Sequence, residues 1–387
     1  MATVAIKDCA NYCQESLSAA IQSGVQALGG WARFVQPGQK VLLKVNMIGP
    51  VSPEKAATTH PEFVRAIVRQ LKQLGAEVWV GDSAGGAIAG IAPTARALEV
   101  CGYAQVCREE GVRLVNFDSE GAVAVPSRTK SVFPEFHVAK ALTEADVVIN
   151  LPKFKTHSAQ LYTGAVKNLF GALPGLSKAT YHAAAPDQEA FGELVADLHQ
   201  ACHPALHIMD AVIGHEGNGP TAGSPHPVGK ILAATDPVAL DAVACRMMGI
   251  DPLQVTIVKH AARLGLGTLQ ESDISLQGDY DQPPRVANWR VPNGGGMRGP
   301  RWLLPGIISF FRTRPVVDPK LCRHCNMCVD SCPVKAIDKR SKQIDYQTCI
   351  GCMCCHELCQ HHAVELRRSN RLAGWLMRRS DRENAHR

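Results

Sequence analysis

The sequence predicts an α/β fold, a mainly parallel sheet with helices on both faces, followed by a small C-terminal α+β domain that is rich in cysteine. Two observations support this division. From residue 1 to about residue 270, short apolar runs alternate with amphipathic stretches of helical period. Between residues 322 and 359, cysteines then recur in two runs of equal spacing. Alternating apolar strands and helices are typical of a parallel sheet that is covered on both faces.

The predicted strands are short and nearly uniformly apolar, as expected where both faces of a sheet are buried. They lie at residues 4–7, 40–46, 76–82, 112–117, 145–151, 205–213 and 230–235. The predicted helices lie between them, at residues 13–28, 61–74, 93–109, 160–171, 188–202 and 236–248. Two helices have start signals, because Pro61 follows His60 and Pro237 follows Asp236, and proline is favoured at the first helical position.

Glycine and proline mark the end of the α/β domain. Residues 271–300 contain Gly278, Pro283 and the run NGGGMRGP, a composition that is typical of a linker. We therefore divide the chain into an α/β domain, a linker with a basic and apolar segment, a cysteine-rich domain and a basic tail. These four parts span residues 1–270, 271–314, 315–366 and 367–387.

Each cysteine run reads C-x-x-C-x-x-C-x-x-x-C. This is the ligand pattern of a protein with two [4Fe-4S] clusters, in which the fourth cysteine of each run binds the other cluster. Cluster one would take Cys322, Cys325, Cys328 and Cys359, and cluster two would take Cys349, Cys352, Cys355 and Cys332. Residues 315–366 resemble the bacterial two-cluster ferredoxins, and the resemblance implies a ferredoxin-like fold and electron transfer.

Other uses of these cysteines fit less well. Zinc sites usually take their four ligands as two pairs, whereas each run offers three close thiols and an offset fourth. A disulfide scaffold is disfavoured because the first residues lack the apolar core of a signal peptide.

Two departures from the pattern are visible. Gln360 stands where the first run has Pro333, and Cys354 lies beside Cys355, so that either could be the third ligand of the second run.

Composition and charge narrow the classes of protein. Hydrophobic residues make up 46% of the chain and charged residues 20%, as in a globular protein with a sizeable core. No apolar run approaches the ~20 residues of a transmembrane helix, and we expect a cytoplasmic location.

Arginine is concentrated in residues 297–314 and 367–387. No nucleic-acid reader motif accompanies it, which favours an acidic redox partner protein, or peripheral contact with an anionic membrane. The alternative is that both segments pack the cysteine domain against the main domain.

Polar side chains follow the predicted strands, where parallel sheets place their ligands. Lys44 and Asn46 end one strand, and Gly81 and Asp82 end another. A third strand is followed by a cluster of cations and an amide, which comprises Lys153, Lys155, His157, Lys167 and Asn168. This cluster is interpreted as a site facing a cleft, with a solvated surface as the alternative. The nearby glycine clusters lack the spacing of nucleotide-binding motifs and are interpreted as tight turns.

At these residues the chain resembles the domain of unknown function 362 family, whose members often carry a two-cluster ferredoxin module. The resemblance covers residues 40–265 and implies an iron–sulfur protein with an active-site domain, without a known reaction. The residues that carry it are Lys44, Asn46, Gly81, Asp82, Lys153 through His157, Thr163 through Asn168, Gly171, Asp210, Gly219, Pro220, Asp236 and Asp241.

Together these features predict a reductase. The two clusters would pass low-potential electrons to a small anionic or carbonyl-bearing substrate that Lys153, Lys155 and Lys167 bind by charge. His157, or alternatively His182, would deliver the proton. Asp82 and Asp210 would orient the histidine or a metal, and Lys44, Asn46 and Asn168 would complete the binding site. The alternatives are an electron-transfer or assembly protein without its own reaction, and a non-redox metal enzyme.

Overall fold

The computed structural model describes residues 1–85, 93–129, 133–175, 177–185, 187–292, 313–350 and 353–368. Its strands are β1 (Ala2–Asp8), β2 (Lys40–Lys44), β3 (Glu77–Asp82), β4 (Arg113–Asn116), β5 (Ala122–Pro126), β6 (Glu135–Ala139), β7 (Val147–Asn150), β8 (Lys153–His157), β9 (Leu161–Thr163), β10 (Leu206–Glu216), β11 (Ser224–Ala234), β12 (Ile274–Gly278), β13 (Thr313–Val317) and β14 (Val364–Arg368).

The helices of the described residues cover both faces of the main sheet and add two short turns in the C-terminal domain. They are α1 (Gln14–Gln26), α2 (Pro61–Gln73), α3 (Thr94–Val100), α4 (Tyr103–Glu110), α5 (Ala141–Glu144), α6 (Ala165–Asn168), α7 (Ser177–Ala184), α8 (Gln188–Cys202), α9 (Pro237–Met248), α10 (Thr256–Arg263), α11 (Met327–Asp330) and α12 (Cys354–Glu357). None of them is long and apolar enough to cross a bilayer.

The main sheet has the strand order β12-β1-β11-β10-β7-β2-β3-β4, with β8 and β9 attached beside β10. Strands β10, β7, β2, β3 and β4 run parallel to one another, and β11 runs antiparallel to both β1 and β10. The mainly parallel α/β sheet that the sequence predicts is therefore confirmed. Its parallel half brings the carboxyl ends of β2, β3 and β7 to one edge.

Two apolar cores lie on opposite faces of this sheet. Leu42 of β2 packs into one core, while its neighbours Val41 and Leu43 pack into the other. Successive side chains of a strand point to opposite faces, so the apolar run Val41, Leu42 and Leu43 of β2 fills both cores.

Three sequence expectations are corrected by the structure. The helix expected at residues 93–109 is two helices, because Gly102 between them has a φ of 83°. The helix expected at residues 160–171 begins as strand β9 and only then becomes α6; short apolar runs do not distinguish the two periods. Part of the expected linker is strand β12, which pairs in parallel with β1. The expected basic segments lie mostly outside the described residues.

The C-terminal domain has two similar halves. An antiparallel pair, β13 and β14, accompanies α11 and α12. Each short helix follows a residue in the left-handed region, Asn326 (φ 62°) before α11 and Met353 (φ 63°) before α12. The repeated cysteine spacing is thus a repeated backbone conformation, as expected of a small α+β ferredoxin-like domain.

Candidate functional site

A cavity of about 270 Å³ lies between the carboxyl edge of the main sheet and the C-terminal domain. The α/β domain contributes side chains from the ends of β2 and β3, from β8 and β9, and from α6 and α7. The C-terminal domain contributes Asp330, Ser331, Cys332, Pro333, Cys354, Glu357 and Leu358. The cavity is therefore bounded by both domains and exists only because they are docked together.

The sequence predicts ten site residues in the α/β domain, and seven of them line this cavity. They are Lys44, Asn46, Asp82, Lys155, Lys167, Asn168 and His182. His157 lies behind the wall and contacts Glu357. Lys153 and Asp210 are absent from the lining and pair with each other elsewhere.

Lys44 and Asp82 form a fully buried ion pair, with 2.9 Å between Nζ and Oδ1. Burial lowers the pKa of Lys44 and raises the pKa of Asp82, and each charge offsets the effect on the other. The Asp82 carboxylate also accepts hydrogen bonds from the backbone N–H groups of Met47 and Ser83. A Cβ atom on Gly171 would lie 2.4 Å from Asp82 Oδ1 and 2.7 Å from Lys44 Nζ, so only glycine fits there.

The other three lysines of the cavity differ in how many of their N–H groups already donate hydrogen bonds within the protein. Lys178 donates to the backbone and hydroxyl oxygens of Ser83 and to the Ala84 carbonyl. Lys155 donates to Asn46 Oδ1 at 2.6 Å and to the Ala57 carbonyl at 2.7 Å. An ammonium group has three donors, so Lys178 is saturated and Lys155 retains one N–H.

Lys167 makes no hydrogen bond or ion pair with any described residue, although its side chain reaches into the cavity. Burial lowers its pKa, while the charges of Glu357 and Cys354 oppose that change. Burial, together with repulsion by Lys167 and Lys153, lowers the pKa of Lys155 to about 7. Neither Lys155 nor Lys167 forms an ion pair with a described carboxylate.

His157 connects the two domains. Its Nδ1 accepts hydrogen bonds from the backbone N–H groups of Ala159 and Gln160, which leaves the proton of the neutral ring on Nε2. Nε2 lies 3.0 Å from Glu357 Oε1, off the line of a straight hydrogen bond. Burial and the charge of Lys167 lower the pKa of His157 to about 4, so the ring is neutral near pH 7.

Glu357 is held by both domains. Burial alone would raise the pKa of its carboxyl, but His157 and Lys167 lower it well below the usual range. Its backbone carbonyl accepts a hydrogen bond from Thr221 Oγ1 at 2.6 Å. Sequence reasoning missed this role, because Glu357 stands between two cluster cysteines and resembles any other loop acid.

His182 is fixed by aromatic packing. Its ring stacks on Phe191 with centroids 4.5 Å apart and meets the edge of Phe170 at 4.9 Å. No described residue forms a hydrogen bond with its ring nitrogens, and burial lowers its pKa to about 4. A neutral ring in this setting offers one donor and one acceptor to a molecule in the cavity.

Lys153 and Asp210 form a closed network that does not face the cavity. Lys153 Nζ lies 2.7 Å from Asp210 Oδ2 and 2.9 Å from the Tyr12 hydroxyl, which itself donates to Asp210. The backbone N–H of His60 also donates to Asp210. These contacts use the charges of both residues internally, and the structure does not bring them to the candidate site.

The predicted ligands of cluster one lie together in the C-terminal domain. Burial and the neighbouring thiols of Cys359, Cys325 and Cys322 raise the pKa of Cys328 to about 11; these are the four predicted ligands. The Sγ atoms of Cys332 and Cys359 each accept a backbone hydrogen bond at 3.2 Å, as cluster thiolates do.

A second, smaller hollow has Cys332, Cys349, Cys354 and Cys355 in its wall. Cys332, Cys349 and Cys355 are three of the four predicted ligands of cluster two, and the fourth, Cys352, lies outside the described residues. Within the described ranges, no three His, Cys, Asp or Glu side chains converge on a single ion; a cubane instead binds each thiolate through a different iron atom. The thiols present in these two places are of the residue type that binds iron–sulfur clusters.

Cys332 lies in the wall of both hollows. It borders the lysine-lined cavity on one side and the hollow predicted for cluster two on the other, as do its neighbour Pro333 and the ninth thiol, Cys354. The sequence could not reveal this relationship, because it depends on how the two domains dock. Lys178 was also missed, since it lies on α7, a helix that the sequence did not predict.

Comparisons with known proteins agree with this two-part organisation. The family model described as "Domain of unknown function (DUF362)" matches residues 41–246, and the model described as "4Fe-4S dicluster domain" matches residues 314–360. The thylakoid-associated protein sll1697 of Synechocystis sp. is 35% identical over 284 residues, which cover 73% of this chain and 85% of that protein.

Two other matches are a shorter sequence match and a match of structure. Pyruvate synthase subunit PorD of Methanothermobacter marburgensis is 38% identical over 60 residues, 16% of this chain and 73% of that protein. Among solved structures, the lactate racemase apoprotein of Thermoanaerobacterium thermosaccharolyticum superposes with a TM-score of 0.41 at 12% identity, covering 63% of this chain and 56% of that one.

Proposed function

The chain belongs to the DUF362 family and carries a 4Fe-4S dicluster domain, and from this we propose that it is an iron–sulfur oxidoreductase. In this proposal, two [4Fe-4S] clusters supply low-potential electrons, and a small anionic, carbonyl-containing substrate binds in the cavity between the domains. The observation that carries the proposal is the position of Cys332, a predicted ligand of cluster two, in the wall of the lysine-lined cavity.

The charge and donor inventory of the cavity supports an anionic substrate. Lys44 is neutralised by Asp82 and Lys178 is saturated by oxygen acceptors. Among the described residues, Lys155 uses two of its three N–H donors and Lys167 uses none. Buried ammonium groups without partners are costly, so an anionic ligand between these two residues would stabilise both.

A carbonyl that gains electrons also needs a proton. Lys155 suits this role because its pKa of about 7 matches the pH at which an acid can both hold and donate a proton. His157 suits it less well than the sequence predicted, since its Nδ1 accepts two backbone hydrogen bonds and its Nε2 faces Glu357. His182, which lines the cavity and is held by its aromatic stack, is the proposed hydrogen-bond donor to the carbonyl oxygen.

The proposed partners are a one-electron donor protein and an anionic membrane surface. The first is supported by the exposure of Cys325, a predicted ligand of cluster one, which lies next to His324 and close to Arg323 on the exposed surface. The second is supported by the basic segments of the sequence and by the thylakoid association in the name of the Synechocystis relative.

The test is single-turnover oxidation of the reduced protein. Anaerobic, dithionite-reduced protein, freed of excess reductant, is mixed with a panel of small 2-oxo acids and carboxylates, and the visible absorbance of the clusters is followed. We expect at least one 2-oxo acid to oxidise the wild-type clusters at least about tenfold faster than those of a Lys155→Met variant. Lys140→Met, which changes an exposed lysine paired with Glu144, is the control. Equal rates in all three proteins would favour the alternative of an electron carrier without its own substrate.

A further inference from the structure

We propose that Lys167 is a nucleophilic amine that forms a Schiff base with the carbonyl carbon of a small 2-oxo acid. This deepens the function proposed above and rests on it for the identity of the cavity as a substrate site. In this proposal Lys167 forms a covalent bond with the substrate. Its charge alone would account only for binding of an anion.

The first support is that nothing in the described part of the chain holds the Lys167 ammonium group. The other cavity lysines each donate to at least two groups: Lys44 to Asp82 and a carbonyl, Lys155 to Asn46 and a carbonyl, and Lys178 to three oxygens. An amine nitrogen that such hydrogen bonds hold in place is less free to approach a carbonyl carbon. Lys167 has no such contacts and extends into the cavity from the short helix α6.

The second support is the fixed position of the helix that carries Lys167. The Asp241 carboxylate accepts hydrogen bonds from the backbone N–H groups of Ala165 and Val166, at 2.6 and 3.0 Å, and from the Tyr162 hydroxyl at 2.8 Å. The first turn of α6 is thus anchored in the core. A buried anchor gives the amine a defined direction of approach, which a nucleophile needs more than a simple counter-ion does.

The third support is the environment of the amine. Lys155 is close enough that the two cations repel, and burial favours the neutral form of Lys167. Two groups of the C-terminal domain, Glu357 and Cys354, favour the protonated form of Lys167. The Glu357 carboxylate makes its ion-pair contact with His157 and not with Lys167. A second cationic group close to a lysine is a known means of making that lysine nucleophilic.

The chemistry balances with the amine, the carbonyl and one proton. The neutral amine nitrogen attacks the carbonyl carbon, and a C=N double bond replaces the C=O double bond. The carbonyl oxygen leaves as water, which takes two hydrogens, and the iminium nitrogen keeps one. Two of these three hydrogens come from the amine, and the third is a proton taken up from solvent. The resulting iminium carbon accepts electrons more readily than the original ketone, which is useful in a reductive site.

The neighbouring donors select the substrate class. Lys155 and Lys167 both line the cavity, and Lys155 has one N–H that can bind a carboxylate oxygen. In a 2-oxo acid the carboxylate is bonded directly to the carbonyl carbon. The carboxylate can therefore bind Lys155 while the carbonyl carbon lies next to Lys167. A phosphate or an isolated carboxylate would occupy the charge site without offering a carbon for attack.

The experiment is reductive trapping of the whole protein. Oxidised protein with its clusters is incubated with pyruvate and sodium cyanoborohydride, which reduces iminium ions in preference to ketones, and the modified peptide is located by mass spectrometry. We expect one predominant adduct, on Lys167, and its loss in Lys167→Arg, which keeps the charge but not the nucleophile. Lys140→Arg should give the wild-type adduct.

No adduct in the wild type, an adduct on Lys155 or Lys178, or equal labelling of exposed lysines would overturn the proposal. Peptide mapping of the wild type decides the question even if Lys167→Arg fails to fold. Trapping needs no electrons from the clusters, so its failure is distinct from failure of the proposed function. A protein whose clusters are oxidised by pyruvate but which gives no adduct is a reductase that binds its substrate without a covalent bond.

Discussion

The carboxylate of Glu357 lies 3.0 Å from Nε2 of His157, so the last residue of the short helix α12 touches a buried strand of the other domain. The contact lies beside the cavity, where Glu357 is itself part of the wall. It connects the predicted ligands Cys355 and Cys359 to the sheet that positions the lysines.

The first prediction concerns this contact. Glu357→Gln keeps the shape of the side chain but removes the charge that faces His157 and Lys167. We expect the free energy of unfolding to fall by about 1 to 3 kcal/mol, the cost of leaving a buried polar group without its partner, as measured by urea denaturation. Glu365→Gln, which alters a partly exposed pair with Arg367, should change it by less than about 1 kcal/mol. Equal effects of the two variants would show that the interdomain contact contributes nothing.

The second prediction concerns the space beside the Lys44–Asp82 pair. Gly171→Ala would place a methyl group 2.4 Å from Asp82 Oδ1, which must separate the buried charges. Breaking a buried pair costs about 3 to 5 kcal/mol, so a large loss in thermal midpoint is expected. Gly49→Ala is the matched control, because a Cβ atom there meets nothing within 4 Å. A Gly171→Ala protein as stable as the control would mean that the pair tolerates rearrangement.

The third prediction is the pH dependence of anion binding. Oxamate resembles a 2-oxo acid but is an amide and forms no Schiff base. Protonated Lys155 attracts its carboxylate and the neutral amine does not, so affinity should fall as pH rises through about 7, by at most about tenfold per pH unit for one coupled proton. Calorimetry from about pH 6 to 8 measures this, and Lys155→Met should flatten the profile near pH 7. A wild-type affinity that rises with pH would have the wrong sign.

The strands of the parallel half could be predicted from the sequence, because a strand buried on both faces leaves a continuous apolar run, as KVLLK does at β2. Strand β9 could not, because the apolar residues Leu161 and Tyr162 fit either a helix or a strand at that length. Lys44 and Asp82 could be predicted as site residues because they stand at the carboxyl ends of predicted parallel strands, where such sheets bind ligands.

The closure of the cavity and the pairing of charges within it lay beyond sequence reasoning. Lys153 and Lys155 look equivalent in the run KFKTH, yet one is neutralised by Asp210 and the other faces the cavity. That difference depends on long-range packing. The contribution of Glu357 depends on the docking of a separate domain, which no local pattern encodes.

The fourth prediction separates the two adjacent cysteines. Cys354 begins α12 as Met327 begins α11, and Cys355 stands in the place of Cys328. Cys354→Ser should therefore retain both clusters and about eight iron atoms per chain, whereas Cys355→Ser should lose one cluster. Iron analysis and electron paramagnetic resonance of anaerobically reconstituted protein test this. The reverse result would make Cys354 the ligand.

The central claim is that the cavity communicates with cluster two through the wall that contains Cys332. The most direct measurement is a redox titration of both clusters, followed by electron paramagnetic resonance, with and without saturating oxamate. The cluster signals are assigned with Cys332→Ser and Cys328→Ser. A bound anion opposes the addition of negative charge nearby, so the potential of cluster two should fall while that of cluster one changes less. A shift confined to cluster one, or no shift in either cluster at saturating oxamate, would contradict the account.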